Sequence, residues 1–245
     1  MTTTESVRQP QAAPMSLPAR LIGVLFSPGD TFRNVAAFPR WLGAMATITL
    51  VSGALWFGFL STERGQQAML DQQVRQLESF GQTVGDEQYD GMQRGMSAAR
   101  YWVTAWVIVV GPIMTVIVAG LLFAVFNAGL GGEATFKQVL SVVTHAGMPM
   151  LLQALFTMPL NYARESTTSA TNLGIFLPML DEGSFPARFL GMIDLFITWW
   201  LIVLAIGLAV LYRRRTQPVF IGLFAVYLGI VVVIAVAMSA AAGSR

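Results

Sequence analysis

The stretch MIDLFITWWLIVLAIGLAV, residues 192–210, indicates the class of fold. It is about as long as the roughly 20 apolar residues that a helix needs to cross the hydrocarbon core of a bilayer. Its only charged residue, Asp194, stands near its start, and Arg213 follows nineteen residues later, which corresponds to about 28 Å of helix. The two charges are therefore predicted to lie at opposite membrane surfaces. We expect Asp194 to cap the helix or to pair with Arg188; a functional charge facing a wet cavity is the alternative.

Further apolar runs of similar length occur along the chain, in which 55% of the residues are hydrophobic and 11% are charged. With the first run they predict membrane spans at about residues 41–60, 102–126, 136–158, 189–212 and 218–238. None of these runs alternates with a period of two, so helices are favoured over a membrane barrel. The sequence thus predicts an all-α, polytopic membrane protein: a five-transmembrane-helix bundle with short interfacial amphipathic helices.

The segments outside the runs complete the predicted organisation. Residues 1–20 are interpreted as a disordered cytoplasmic tail, and residues 21–240 as a single membrane domain with an outer segment at 61–101. In LFSPGDTFRNVAAFPRW, residues 25–41, Ser27 and Pro28 begin a short amphipathic helix, which we expect to lie on the cytoplasmic surface. Leu70, Val74 and Leu77 have helical spacing and predict a water-facing amphipathic helix in the outer segment.

Lys and Arg near the span ends predict the orientation. Five spans place eight of these residues on the side of the N-terminus and seven on the other side. The triplet Arg213–Arg215 adjoins two spans, whereas Arg75 and Arg94 lie far from any span end. Weighting by proximity predicts a cytoplasmic N-terminus and an external C-terminus, in a bacterial cytoplasmic membrane.

The polar residues within the third run form the candidate intramembrane site. His145 is the only histidine of the chain, and it follows Thr144 at about 12 Å from the start of the run. Pro149 has no N–H to offer to the His145 carbonyl, and Pro112 predicts a similar break in the second run. Two interrupted helices at similar depth are typical of transporter binding sites, whereas a kink with a hydrogen-bonded histidine is the structural alternative.

Several classes of function find no support in the sequence. There is no cysteine and no second histidine, so no metal site is predicted. The basic residues are scattered, which argues against nucleic-acid binding. The glycine-rich turn NAGLGGEATF, residues 127–136, lacks the ending of a P-loop. Without paired acids or a nucleophile–base set, we expect a protein that is not an enzyme and has no cofactor.

Three segments in order carry a resemblance to a known family. They are LFSPGDTFRNVAAFPRW (25–41), GLGGEATFKQVLSVVTHAGMP (129–149) and FLGMIDLFITWWLIVLAIGLA (189–209). The chain resembles the bacterial branch of the Yip family, five-span membrane proteins with a Yip-one domain. The resemblance implies a non-enzymatic polytopic protein, and eukaryotic relatives associate with Ypt/Rab GTPases in vesicle traffic between ER and Golgi. Those relatives carry a DLYGP-type motif where SPGDTF stands here, so the resemblance lends GTPase binding little support.

These observations favour one function and leave a second open. The first is a scaffold or adaptor that docks partners at the membrane; its partners would be the lipid bilayer and other membrane proteins, or further copies of the chain. The second is a small transporter or channel that uses the predicted breaks at Pro112 and Pro149 around His145, with Asp194 as a further candidate.

Overall fold

The computed structural model describes residues 13–79, 81–177, 179–180 and 184–243, and the regular elements of these residues are helical. The α-helices are α1 (Leu17–Phe26), α2 (Pro28–Ala37), α3 (Trp41–Leu60), α4 (Glu63–Ser79), α5 (Asp86–Phe123), α6 (Phe136–Ala146), α7 (Met148–Arg164), α8 (Phe185–Met192), α9 (Leu195–Leu211) and α10 (Thr216–Gly243). A π-helical segment, Ala124–Gly129, extends α5, and a 3-10 helix spans Leu173–Phe176. Residues 1–12 of the predicted tail lie outside the described residues, and α1 begins at Leu17, before the predicted boundary at residue 21.

In the described parts of the chain, four helical stretches are long and apolar enough to cross a membrane: Trp41–Leu60, Asp86–Gly129, Phe136–Arg164 and Thr216–Ala240. The predicted all-α, multi-pass class is therefore confirmed. The fourth predicted span is shorter than expected, because its helix, α9, begins only at Leu195 and has 17 residues, or about 26 Å. That length is at the lower limit for a transmembrane helix.

One end of the bundle gathers the N-terminal helices and two connections. The Gln138 side-chain amide donates to the Ala36 carbonyl at 3.0 Å, and the Tyr212 hydroxyl donates to Asn127 Oδ1 at 2.7 Å. These bonds join segments that are far apart in sequence. We call this end the basic end; it consists of α1, α2, residues 127–135 and residues 212–215.

The opposite end carries helical structure beyond the membrane. Helix α5 has 38 residues, about 57 Å, which is well above the roughly 30 Å hydrocarbon core, so its first part projects. The projecting part packs with α4 around a separate small core that includes Leu60, Leu70 and Met96. We call α4 together with residues 86–101 the platform. It corresponds to the predicted outer segment, and its amphipathic helix is α4.

The main core lies where α2 meets α6 and α9. Phe32 and Val35 of α2 are fully buried in this core, so the apolar face predicted for the 25–41 segment does form. It packs against the bundle, however, and does not simply lie on a membrane surface. At Gly207 of α9, an added Cβ would come within 2.6 Å of Val142 and 3.0 Å of Phe32. The absence of a side chain at Gly207 thus lets the three helices approach closely.

Candidate functional site

Helix α6 holds a cluster of three buried polar side chains. Every residue from Val139 to Ala146 is buried, including Ser141, Thr144 and His145. The spacing of three and four residues places these three polar groups on neighbouring positions of one helix face. The helix starts in a capping box, in which the Thr135 hydroxyl accepts from the Gln138 N–H and the Gln138 side chain accepts from the Thr135 N–H.

His145 is enclosed by protein, with 0% of its surface exposed. Its Nδ1 lies 2.8 Å from the Ser141 carbonyl oxygen. Since that carbonyl can only accept, Nδ1 carries a proton toward it. Within the described chain, His145 Nε2 and the hydroxyls of Ser141 and Thr144 have no hydrogen-bond partner. A buried polar atom without a partner costs about 1–3 kcal/mol, so this cluster is held at the expense of stability.

A cavity of about 300 Å³ lies beside this cluster, between α3, α5, α6, α7 and α9. Its walls are mainly aliphatic, and Trp200 closes one side. The polar groups in its wall are the side chains of Thr49, Ser52, Thr115 and Thr144. Of the predicted site residues, Thr144 reaches the cavity, whereas His145 is not among the residues that line it. The cavity can therefore offer hydroxyl groups to a ligand, and no titratable side chain of the described residues lines it.

The sequence predicted an interruption near each proline, and the structure has the one near Pro149 but not the one at Pro112. Gly147 ends α6, and Pro149 lies in the first turn of α7, a position where its missing N–H costs nothing. The third run is thus divided into two helices, not kinked within one. Helix α5 continues past Pro112, so the predicted break in the second run was wrong. Neighbouring groups commonly compensate for a proline in a membrane helix. Gly111 and Gly147 do border the same cavity.

Asp194 is a helix cap in the structure. Its Oδ1 accepts from the N–H groups of Phe196 and Ile197 at 2.7 and 3.4 Å. Its Oδ2 accepts from the hydroxyls of Thr171 and Ser169. The side chain is 5% exposed, and its position agrees with the predicted capping role. With four donors directed at it, this carboxylate has little capacity left for a ligand.

Arg188 does not pair with Asp194, so this predicted alternative is not formed. The Arg188 guanidinium instead donates to the Ser79 carbonyl at 3.4 Å, at the end of α4. Its Nη1 is buried without a partner in the described structure. The ion pairs found among the described residues are Arg33–Asp30 and Arg64–Glu165, both exposed. Arg188 thus links α8 to the platform.

Comparison of the sequence with family models identifies the family. A family model, the Yip1 domain, matches residues 22–238, nearly the whole chain. The chain belongs to the Yip1 family. Neither a curated protein nor a solved structure matches it. The resemblance proposed from the three sequence segments is therefore confirmed, and this Yip1-family chain is a multi-pass membrane protein.

Sequence reasoning missed Arg20 of α1, which lies just before the residues matched by the Yip1 model and is the most buried basic side chain that the structure describes. Arg20 is 2% exposed and donates to the carbonyls of Met15 and Phe38 at 3.0 and 3.3 Å. It thereby ties the start of α1 to the end of α2. Burial, and then the charge of Arg40, lowers the pKa of the Arg20 guanidinium. The spacing of Arg20, Leu21 and Val24 could have revealed this, because residues at positions i, i+1 and i+4 share one face of a helix, and that face of α1 is buried.

Proposed function

We propose that this protein is a non-enzymatic scaffold that docks other membrane proteins, and that the platform is its docking surface. The observation that carries the proposal is that the platform packs around a second core, distinct from the main one. Ala68, Leu70, Met96 and Ala99 of the platform form this core together with Phe59 and Leu60 of α3 and Met158 of α7. A helical unit of this kind outside the membrane presents a defined shape, and defined shape is what partner recognition requires.

Long-range contacts fasten the platform to the rest of the bundle. The Thr167 hydroxyl donates to the Ala68 carbonyl at 3.4 Å, and the Thr168 hydroxyl donates to Gln72 Oε1 at 3.3 Å. Arg64 forms an ion pair with Glu165 at the end of α7. These contacts hold α4 against the end of α7 as well as against α5, so the platform has a fixed position relative to the membrane helices.

A polar groove of about 470 Å³ runs along the platform between α4, α5 and the end of α7. Gln67 and Gln93 are exposed in it, and Arg64, Glu63 and Glu165 provide charges of both signs. Glutamine amides donate and accept hydrogen bonds, so the groove suits a polar peptide segment of a partner. The groove lies outside the lipid, where a partner's loop can reach it.

For orientation, we propose that the basic end is cytoplasmic, in a bacterial inner membrane, and that the platform faces outward. Arg213, Arg214 and Arg215 form the turn between α9 and α10, and all three are exposed. Short loops with clustered arginines are typical of the cytoplasmic side. A docking platform on the outer face would then engage the external parts of membrane partners.

A small transporter is the second candidate, and a specific observation supports it. The cavity beside Thr144 is adjacent to another of about 330 Å³, which extends toward Asn161 and Thr167 near the platform. Ser52 and Met150 border both cavities. Together they outline a track from the middle of the bundle to one surface. A carrier would need to open this track to the other surface as well.

Site-specific photocrosslinking in native membranes tests the scaffold against the transporter. A photoreactive residue at Gln93, within the groove, should give one defined crosslinked protein. The same residue at Glu87, which is exposed on the platform outside the groove lining, is the matched control and should give none. His145→Ala should leave the crosslink intact. If Gln93 gave no crosslink and His145→Ala abolished metabolite or proton flux, the scaffold function would be rejected in favour of the transporter function.

A further inference from the structure

We propose that a groove between α5 and α10 binds one anionic phospholipid, with the phosphate at Arg214 and Arg215 and an acyl chain along the helices. The groove has a volume of about 670 Å³, within the range of about 300–1,000 Å³ that is typical of small-molecule sites. Its walls are aliphatic, formed by residues such as Leu121 and Leu122 of α5 and Val219 and Val226 of α10.

The length of the groove matches one leaflet of a bilayer. From Arg215 to Val226 is eleven residues of α10, about 17 Å of helix. Half of the roughly 30 Å hydrocarbon core is about 15 Å. The arginines therefore lie at headgroup depth when the apolar part of the groove fills its leaflet. A transmembrane helix of another protein would instead need a surface that crosses both leaflets.

The charge of the groove specifies an anionic occupant. Arg214 and Arg215 are the charged residues of its lining in the described structure, and no acidic side chain accompanies them there. One Arg214 N–H group donates to the Leu130 carbonyl at 2.7 Å, which fixes the guanidinium at the mouth of the groove. The Arg215 guanidinium forms neither a hydrogen bond nor an ion pair with any described residue. Guanidinium groups bind phosphate oxygens through paired N–H donors.

Gly222 leaves room for the chain. It lines the groove on α10, and a Cβ added to it would meet no atom within 4 Å. Because this space is open, packing within the bundle does not require a glycine at this position. The glycine nevertheless costs roughly 0.5–1 kcal/mol relative to alanine in a helix interior. An acyl chain in this space would cover the aliphatic walls that α5 and α10 leave open.

Native mass spectrometry of the full-length protein with defined lipids tests the charge requirement. Phosphatidylglycerol should be retained in preference to phosphatidylcholine of the same chains. Arg215→Gln should weaken phosphatidylglycerol binding about fivefold, the effect of one basic residue near an anionic membrane surface. Lys137→Gln removes a charge from the same end outside the groove and should leave binding unchanged. Equal retention of the two lipids, or equal effects of the two variants, would overturn the proposal.

A second pair of variants tests the apolar part of the site. Gly222→Leu should fill the groove and displace the lipid. Gly229→Leu is the matched control, because Gly229 is an exposed residue of the same helix, has equally open space around it and does not line the groove. Phosphatidylglycerol retention should fall in Gly222→Leu and persist in Gly229→Leu. Unchanged retention in Gly222→Leu would show binding of the headgroup alone and would overturn the proposed lipid site.

Discussion

At the scale of single residues, Asp194 and His145 illustrate two different uses of a buried polar group. The Asp194 carboxylate accepts from two backbone N–H groups and two hydroxyls. His145 has one close contact at Nδ1 and, in the described residues, no partner at Nε2. The first arrangement stabilises the fold, whereas the second costs free energy. A residue that costs stability and is buried beside a cavity is the better candidate for a functional role.

Asp194→Ala is predicted to lower the free energy of unfolding by about 2–3 kcal/mol, because it removes the cap of α9 and leaves two hydroxyls without their acceptor. Thermal unfolding in detergent would measure the loss. Asp86→Ala removes an exposed acid from the first turn of α5 and should cost less than about 1 kcal/mol. Similar losses in the two variants would contradict the capping role.

His145→Leu is predicted to leave the free energy of unfolding unchanged or to raise it by about 1 kcal/mol. Leucine fills a similar volume and removes a buried nitrogen that lacks a partner. His145→Ala leaves a cavity as well and should lower stability by about 2 kcal/mol. Denaturation of the purified variants would compare them. A large loss of stability in His145→Leu would mean that Nε2 has a partner essential to the fold.

At the scale of the helices, glycine placement controls how closely they pack. Gly207→Ala is predicted to destabilise the junction of α2, α6 and α9 by about 1–3 kcal/mol, since the new Cβ would lie 2.6 Å from Val142. Gly229→Ala is the control: its Cβ meets no atom within 4 Å, and the change should be neutral or stabilising. Unfolding temperatures of the two variants would decide, and equal temperatures would contradict close packing at Gly207.

The sequence predicted the helices of this fold better than their interruptions. Long apolar runs identify spans, because the bilayer imposes a length and forbids unpaired backbone groups. Hydropathy does not mark the break before Leu195, since residues 189–193 are as apolar as a span; backbone pairing between Asn172 and Asp194 creates that break. The partner of Arg188 was likewise unpredictable, because the Ser79 carbonyl is brought to it only by the tertiary fold.

For the candidate site, the sequence identified α6 but not the orientation of its side chains. Thr144 and His145 are neighbours in the chain, yet only Thr144 borders the cavity. Successive residues of a helix point in directions about 100° apart, so which of the two faces a cavity depends on the packing of the surrounding helices. The capping role of Asp194 was predictable because it depends only on local sequence.

At the scale of the whole molecule, the basic end and the platform end are built from different elements. The proposed orientation can be tested by cysteine labelling without background from native thiols. The chain contains no cysteine, so single cysteines report position directly. Gln82→Cys on the platform side should react with a membrane-impermeant maleimide in intact cells. Lys137→Cys, at the start of α6 next to the basic end, should react only after permeabilisation; both residues are exposed. The reverse pattern of labelling would invert the orientation.

The packing of Phe32 against Gly207 also has a consequence in time. The two residues are 175 positions apart in the chain, and ribosomes add about 5–20 residues per second. Some 9–35 s therefore pass between the synthesis of α2 and that of its partner helix. Until α6 and then α9 have been made, the membrane surface is the available cover for the apolar side of α2. The amphipathic character of residues 25–41 thus suits transient binding of the nascent chain to the membrane surface. The final packing of α2 against α9 forms only after Gly207 has been synthesised.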